Sequence, residues 1–352
     1  MTTICLQNSI AIVESNGLKK IGQHLSRVLP KGHGLIITDS NVGPIYANSA
    51  SKILKLWGFS NSIITIPAGE KSKGWSTFTK VAETVADSDK PFTFIAGLGG
   101  GVVGDFSGFL ASIYRRGVPH VQLPTSLMAQ VDSSIGGKNG LNAIAAKNIY
   151  GTVCQPILTL TDPLTLQTLG EREFYSGFGE IIKQAILSQP KQLGILASLA
   201  PNIRDQDMEQ IIARNIRIKM KCVQDDLLGT KGLRDKLNFG HTVGHAIEQV
   251  AGYGTYLHGE AISMGIVAAL KASEQEGLPS SFTEEVIKLL ELYKLPTSIP
   301  KNLSASRLIN AITKDKKFQN NIRFVLLKEP GKAYISETVT YQGIATAIEQ
   351  TR

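Results

Sequence analysis

His241 and His245 stand four residues apart and His258 follows shortly after, so half of the six histidines share one short window. Residues i and i+4 lie one turn apart on the same helix face, so a helix here aims the first two imidazoles in one direction. Neutral imidazole is the commonest protein ligand for metals. Three nitrogen or oxygen donors around one open position make the usual catalytic zinc arrangement. The carboxylate that such a set needs is best supplied by Glu180. It lies in segment 171–187, where Phe178, Ile181, Ile182, Ala185 and Ile186 recur at helical spacing, while Ser176, Glu180 and Lys183 form a polar stripe. Thr242 stands where the metalloprotease form of a His-x-x-x-His pair carries glutamate, so that form is not met. Spacing alone leaves open which of the three histidines would bind.

A second chemistry is written in Gly97-Leu-Gly-Gly-Gly-Val-Val-Gly-Asp105, which follows a strand pattern and opens a helical one. Backbone amides and the helix dipole can hold a pyrophosphate in such a setting, although the strict Gly-x-Gly-x-x-Gly spacing is not kept. Asp39 ends an earlier strand pattern where a carboxylate could accept ribose hydroxyls, and Glu70 and Lys73 follow the next one. These are positions a dinucleotide needs. The run from Leu123 to Gly140 is dense in hydroxyls, with Gln130, Asp132 and Lys138, a composition costly for a core and suited to a pocket. Lys147, Asn148, Lys183, Lys219, Arg234, Lys316 and Lys317 come later. A single Lys or Arg is usually a solvated surface charge, so it is their place beside the pocket motifs that singles them out.

The elements that must position these groups change in texture along the chain. Short apolar runs at 34–38, 62–66 and 92–96 alternate with helical patterns, and a helix is expected over 106–114. That alternation predicts a parallel sheet with crossover helices and ligands at the strand ends. After Thr161-Asp162-Pro163 the helical spacing runs through 171–187, 206–222, 238–251, 259–276 and 283–293, and Ile322 to Leu327 before Pro330-Gly331 reads as a small hairpin. A chain of 352 residues exceeds the size at which single cores stop growing. The expected fold is therefore α/β: a Rossmann-like parallel-sheet domain over residues 1–163, which would hold the nucleotide, then a mainly α-helical metal- and substrate-binding domain over 164–352.

The net charge of +8 comes from dispersed cations with no aromatic-interleaved basic strip, so a small anionic substrate is the expected partner and nucleic acid is not. Cys5, Cys154 and Cys222 are odd in number and far apart, which implies neither a disulfide framework nor a cysteine zinc site and fits a reducing, cytoplasmic setting. The apolar run around Phe94 to Phe109 is broken by Asp105 and several glycines, so no membrane span or signal segment is expected.

Taken together these segments resemble one family, the 3-dehydroquinate synthases, within the wider sugar-phosphate cyclases. The resemblance is carried by Gly99-Gly-Gly-Val-Val-Gly-Asp105, Tyr114-Arg-Arg-Gly117, Pro124-Thr-Ser-Leu through Gln130-Val-Asp-Ser-Ser-Ile-Gly-Gly-Lys138, Lys147-Asn148, Gly179-Glu-Ile-Ile-Lys183, the run from Gly232 to Glu248, and His258-Gly-Glu260. These cover the chain from about residue 39 to 317, in the family's order.

The resemblance implies an enzyme that uses NAD and a divalent metal, zinc or cobalt. It would convert 3-deoxy-D-arabino-heptulosonate 7-phosphate into 3-dehydroquinate and phosphate, a step of the shikimate route to aromatic amino acids. The steps are transient oxidation, phosphate elimination, re-reduction and an internal aldol closure. By the same resemblance Glu180, His241 and His258 would ligate the metal, and His245 would be the orienting or proton-transfer histidine beside them. NAD would meet Asp39, Asn41, Glu70, Lys73, Gly100, Gly101, Asp105, Thr125, Ser126 and Thr168. Substrate would meet Asp132, Lys138, Lys147, Asn148, Lys183, Lys219, Arg234, Asn238 and one of Lys316 or Lys317, with Asp132, Lys138 and Lys147 counted on the cofactor side as well. A phosphate and a carboxylate must be held through several steps, which gives the basic excess a purpose. The resemblance also implies a homodimer in which Arg116 reaches the neighbouring subunit's phosphate.

The chain departs from the family's usual pattern in three places. Asn139 replaces a threonine after Lys138, and Asn142-Ala-Ile-Ala-Ala-Lys-Asn148 lacks the customary His, Pro and Gly. The segment Asp226-Leu-Leu-Gly-Thr-Lys231 replaces an Asp-Glu-x-Glu run, so the acid often assigned proton transfer has no counterpart near Thr230, and Lys219 competes with Lys221 for one substrate position. The competing readings are another sugar-phosphate cyclase, of the sedoheptulose 7-phosphate type, and a metal-dependent glycerol-type dehydrogenase with a net redox reaction.

Overall fold

The structure, a computed structural model, describes residues 1–6, 9–143, 147–226, 233–314 and 323–352. Thr230, Lys316 and Lys317 lie outside the described residues. Two compact units are formed, one of residues 1–170 with 207–224 and one of residues 171–206 with 225–352. The sequence places one boundary near residue 163. By contact the chain changes unit at 170, 206 and 224, because the helix over Met208–Gln224 packs on the strands and turns of the first unit.

The first unit is built on a seven-stranded sheet in the order β1 (Thr2–Leu6), β2 (Ser9–Val13), β9 (Leu158–Thr161), β6 (His120–Pro124), β5 (Phe94–Gly99), β3 (His33–Asp39) and β4 (Ser60–Ile66). The β1–β2 pair is antiparallel and every other pairing is parallel. Alternate residues of a strand point to opposite faces, so Leu35 and Ile37 of β3 join one core and Ile36 the other. Helices α1 (Ile21–Leu25) and α2 (Asn48–Leu56) cover the Ile36 face, while α3 (Trp75–Ala86) and α4 (Gly101–Ile113) cover the opposite one. Burial on both faces is why these strands read as unbroken apolar runs. A hairpin of β7 (Lys138–Leu141) and β8 (Tyr150–Val153) packs beside α4.

Chain order reverses between β3 and β5, since β3 leads outward to β4 and β5 leads the other way to β6. Register brings the carboxyl ends level there: Asp39 pairs with Ile66, Thr38 with Leu98, and Gly99 with Pro124. In open α/β sheets this switch point is where ligands bind. Two elements are displaced from their expected places. β5 spans Phe94–Gly99 where 92–96 was expected, and α4 starts at Gly101 where 106 was expected. Glycines are poor helix formers, so their propensity argues for a loop. Close packing overrides it, because a side chain at Gly99 would lie 2.6 Å from a Val103 methyl.

The second unit is helical, with α5 (Glu171–Ser188), α6 (Gln192–Leu199), α8 (His241–Ala251), α9 (His258–Gln275), α10 (Ser280–Leu292), α11 (Ala305–Lys314) and α12 (Tyr341–Gln350). The helix over Met208–Gln224 is α7. Strands β10 (Phe324–Glu329) and β11 (Lys332–Ser336) form the expected hairpin. Helix α9 lies at the centre, packed by α5, α8, α10, α12 and β10. Its residues 261–270 are all buried and none is charged, the pattern of a helix apolar on every side. Among the described residues no helix is long and apolar enough to cross a membrane.

His120, at the start of β6, is buried, with Nε2 3.0 Å from the Ser107 hydroxyl and no hydrogen-bond partner for Nδ1 among the described residues. Burial pushes its imidazole down from 6.5 to about 3. Between those values the unfolded chain binds a proton that the folded chain refuses, so stability is full above pH 6.5 and is lost as pH falls toward 3. This group should cost about 2 kcal/mol between pH 7 and pH 5. Urea unfolding of His120→Gln at the two values should show that difference reduced by this amount. An unchanged pH dependence would show that the acid sensitivity lies elsewhere.

Candidate functional site

Glu180 sits in mid-α5 with no solvent exposure, and its Oε1 is 3.5 Å from Nε2 of His241 and 3.8 Å from Nε2 of His258. The donor atoms of the three residues all lie within 4.8 Å of one another. Lys183, one turn along α5, places its ammonium 2.5 Å from Oε2; beyond that ion pair, neither carboxylate oxygen has a hydrogen-bond partner among the described residues. Both histidines are the first residue of their helix, where the dipole opposes a positive charge. Burial, then the Lys183 charge and the other two imidazoles, hold His241 well below the ordinary histidine range. The Phe239 carbonyl can only accept and lies 3.2 Å from Nδ1 of His241, so the ring proton sits there and Nε2 keeps its lone pair toward Glu180.

The convergence depends on what the residues beside the donors lack. Gly259 follows His258, and a side chain there would collide with the Ser176 carbonyl of α5. Gly179 precedes Glu180, and its added carbon would lie 2.6 Å from the Gly259 oxygen. Gly240, at φ 77°, turns the chain into α8 just before His241, and a side chain at Gly265 of α9 would collide with its carbonyl. Helices α5, α8 and α9 therefore meet backbone to backbone. Arg172 of α5 closes the arrangement by gripping both oxygens of Glu260 at 2.6 and 2.7 Å, while Glu260 accepts from the Leu257 amide ahead of His258.

In the first unit the expected nucleotide residues gather at the carboxyl edge of the sheet. Gly100 caps α4, a side chain there would lie 3.4 Å from the Ser126 hydroxyl, and one at Gly101 would lie 2.9 Å from the Ser133 hydroxyl. The bare backbone leaves room for a ligand to approach the unpaired amides of the first helical turn. The Thr125 amide donates to Gly99, the amides of Asn41 and Val42 donate to Asp39, and Thr168 meets the Tyr46 hydroxyl at 2.7 Å. Lys73 is buried and pairs with Asp105, and it also donates to Asn148 at 2.6 Å. Lys219 of α7 donates to the Asp132 carbonyl at 2.6 Å and pairs with its carboxylate at 2.7 Å; Lys221 is exposed. Lys138 opens β7, exposed, and Lys147 is half-buried.

Family models described as 3-dehydroquinate synthase N-terminal and 3-dehydroquinate synthase C-terminal match residues 63–176 and 177–318. A 3-dehydroquinate synthase of Streptococcus pneumoniae (strain JJA) is 40% identical over 328 residues, 92% of this chain and 92% of that one. The chain belongs to the 3-dehydroquinate synthase family. Two solved structures share its fold. A 2-epi-5-epi-valiolone synthase of Streptomyces hygroscopicus subsp. jinggangensis 5008, with NAD+ and Zn2+ bound, matches with TM-score 0.88 at 25% identity, covering 100% of this chain and 98% of that one. A 2-deoxy-scyllo-inosose synthase complexed with carbaglucose-6-phosphate, NAD+ and Co2+ matches with TM-score 0.83 at 22% identity, over 100% and 99% of the two chains.

The 3-dehydroquinate synthase donor set passes a simple test of fit to a metal. Ligand atoms about 2.0–2.1 Å from a tetrahedral zinc ion lie roughly 3.4 Å apart, close to the 3.5 Å between Glu180 and His241. The buried Oε1 of Glu180, which faces both imidazoles and has no hydrogen-bond partner among the described residues, is also what a cation would satisfy. His245 falls on the same face of α8, its ring centre 5.2 Å from that of His241, but the convergent set uses His258 instead. Arg234 and Asn238 lie on the 3-10 turn Leu233–Asn238 that leads into α8, where the Asp226 carboxylate accepts from the Arg234 amide. The sequence reading missed Arg172, Asp226, Asn142 and Glu248. For Glu248 a signal existed, since it lies seven residues after His241 and so on the same face of α8.

Gly259→Ala should destabilise the second unit by about 3 kcal/mol or more, since the added methyl meets rigid backbone. Gly194→Ala, in α6 with open space around it, should instead be neutral or stabilising by about 1 kcal/mol. Thermal unfolding of the two variants beside the parent checks both; equal effects would show that helix contact is not what Gly259 serves.

Proposed function

We infer that the chain catalyses the reaction for which its family is named, converting 3-deoxy-D-arabino-heptulosonate 7-phosphate into 3-dehydroquinate and phosphate with NAD and a divalent cation. The observation that carries this reading is 40% identity over 92% of both chains to a 3-dehydroquinate synthase. In this reading Glu180, His241 and His258 hold the cation, and the amides at Gly100 and Gly101 with Asp39, Glu70, Asp105, Thr125, Ser126 and Thr168 hold NAD. The chemistry supplied by the two groups is polarisation of a substrate hydroxyl and reversible acceptance of hydride. The chain's own residues bind and orient. Lys138, Lys147, Lys219 and Arg234, with Asn148 and Asn238, hold the phosphate and carboxylate, and Arg234 suits the bidentate task. Lys183 pairs with the Glu180 carboxylate beside the donor set.

Protein supplied with heptulosonate phosphate, metal and catalytic NAD should release phosphate without net NADH. Chelator should abolish release and zinc or cobalt restore it. Stoichiometric NADH would indicate a glycerol-type dehydrogenase, and turnover of sedoheptulose 7-phosphate in place of the heptulosonate would indicate a different cyclase.

We further propose a cytoplasmic homodimer in which Arg116 serves the neighbouring copy's substrate. Cys5, Cys154 and Cys222, odd in number and far apart in the sequence, fit a reducing compartment. Arg116 follows α4 on the turn Tyr114–Arg116, left-handed at φ 70° after φ 50° at Arg115, and has no ion-pair partner among the described residues. Ile113 just ahead of that turn is exposed, as are Trp75 and Tyr150, which pack edge to face, and exposed apolar side chains of this kind suit an interface. Co-expressed Arg116→Ala and Glu180→Ala chains should recover about a quarter of wild-type activity, because one site of each mixed dimer is whole. Activity no higher than that of either parent would remove the shared role.

A further inference from the structure

Glu248 is a buried carboxylate on α8, two helical turns beyond His241, to which none of the roles above is given. Its Oε2 lies 3.5 Å from Nδ1 of His258, while the other ring nitrogen, Nε2, faces Glu180. It also falls within 4.8 Å of His245, one turn before it on α8. We propose that Glu248 is the positioning residue of the metal centre, accepting Nδ1–H of His258 and so fixing the ring with Nε2 toward the cation. This rests on the reading of Glu180, His241 and His258 as ligands.

The two ligand imidazoles then need different supports for a reason visible in the fold. His241 follows Phe239 and Gly240 directly, and its Nδ1 reaches the Phe239 carbonyl without leaving its own strand of chain. His258 opens α9 after a turn, its ring is one-third exposed, and the acceptor at its Nδ1 is the Glu248 carboxylate of the neighbouring helix. Without an acceptor the imidazole can rotate or present the other nitrogen. A carboxylate acceptor sets the tautomer, orients the ring and makes it more basic toward a cation. Glu248 reaches it because α8 and α9 pack backbone to backbone at Gly240, Gly244 and Gly265.

The test loads the full-length chain with Zn2+ or Co2+ alone and measures affinity by competition with a chromophoric chelator, ion stoichiometry, and the visible spectrum of the cobalt form. Glu248→Met keeps the volume and removes the acceptor; Glu248→Gln keeps an oxygen acceptor and removes the charge. Affinity should fall about 10- to 100-fold in Glu248→Met with a shifted cobalt spectrum, and only several-fold in Glu248→Gln. Unfolding of the metal-free forms shows whether each variant is folded, and if Glu248→Met is not, the several-fold loss in Glu248→Gln decides. Wild-type affinity and spectrum in either folded variant would overturn the proposal. So would a second ion per wild-type chain that disappears in Glu248→Met, which would make Glu248 a ligand together with His245 and His258. A wild-type chain that takes up no ion, or that keeps its ion in His241→Ala, would instead sink the ligand assignment itself.

Discussion

The second unit is organised by one steric constraint: three helices must touch through their backbones if a buried carboxylate is to share a vertex with two imidazoles. Glu180 has no exposure, and among the described residues its carboxylate faces the Lys183 ammonium and the two histidines. A charge held in that way is costly unless compensated. Compensation requires short reach, and short reach requires Gly179, Gly240, Gly259 and Gly265, where any side chain would push the helices apart. Gly179, Gly240 and Gly259 each adjoin a donor in sequence, so the contact that sets the helices also sets the donors.

The first unit solves a different problem with a related device. Its glycines clear space at the start of α4, on the sheet edge where chain order reverses, so that amides and hydroxyls are presented with no side chain in the way. Behind them, Lys73, Asp105 and Asn148 form a closed polar group, and Asn142 accepts from the Asn148 amide while donating to Glu70. The expected cofactor residues thus support one another before any ligand arrives, which limits how far each must be ordered on binding.

What could be read from the sequence follows from where each signal is local. Apolar periodicity marks α5, α9 and α10 because one face, or in α9 every face, is buried along the whole helix. The strands β3 and β4 are legible because both faces are covered. The start of α4 was not, since a run of glycines reads as loop and only packing against β5 makes it helix. Nor does periodicity tell that α7 returns to the first unit, because an amphipathic helix announces that it has a buried face and not against what. In the site, spacing left open which of the three histidines would bind, and the imidazole that joins His241 at Glu180 comes from another helix. The family resemblance supplied that division, and the helix contacts give its physical cause.

Where the chain departs from the family pattern, the described residues on either side make bonds of their own. The loop after β7 lacks the usual His, Pro and Gly, but what secures its ends is Asn142, whose amide donates to the Lys73 carbonyl and whose side chain joins Glu70 to the Asn148 amide. Asn142, Lys147 and Asn148 are all retained. Asn139, in place of threonine, donates to the carbonyls of Gly137 and Cys154 and fills the space that Gly108 leaves open. Ahead of α8, the buried carboxylate of Asp226 accepts from the Arg234 amide, on the 3-10 turn that carries Arg234 and Asn238.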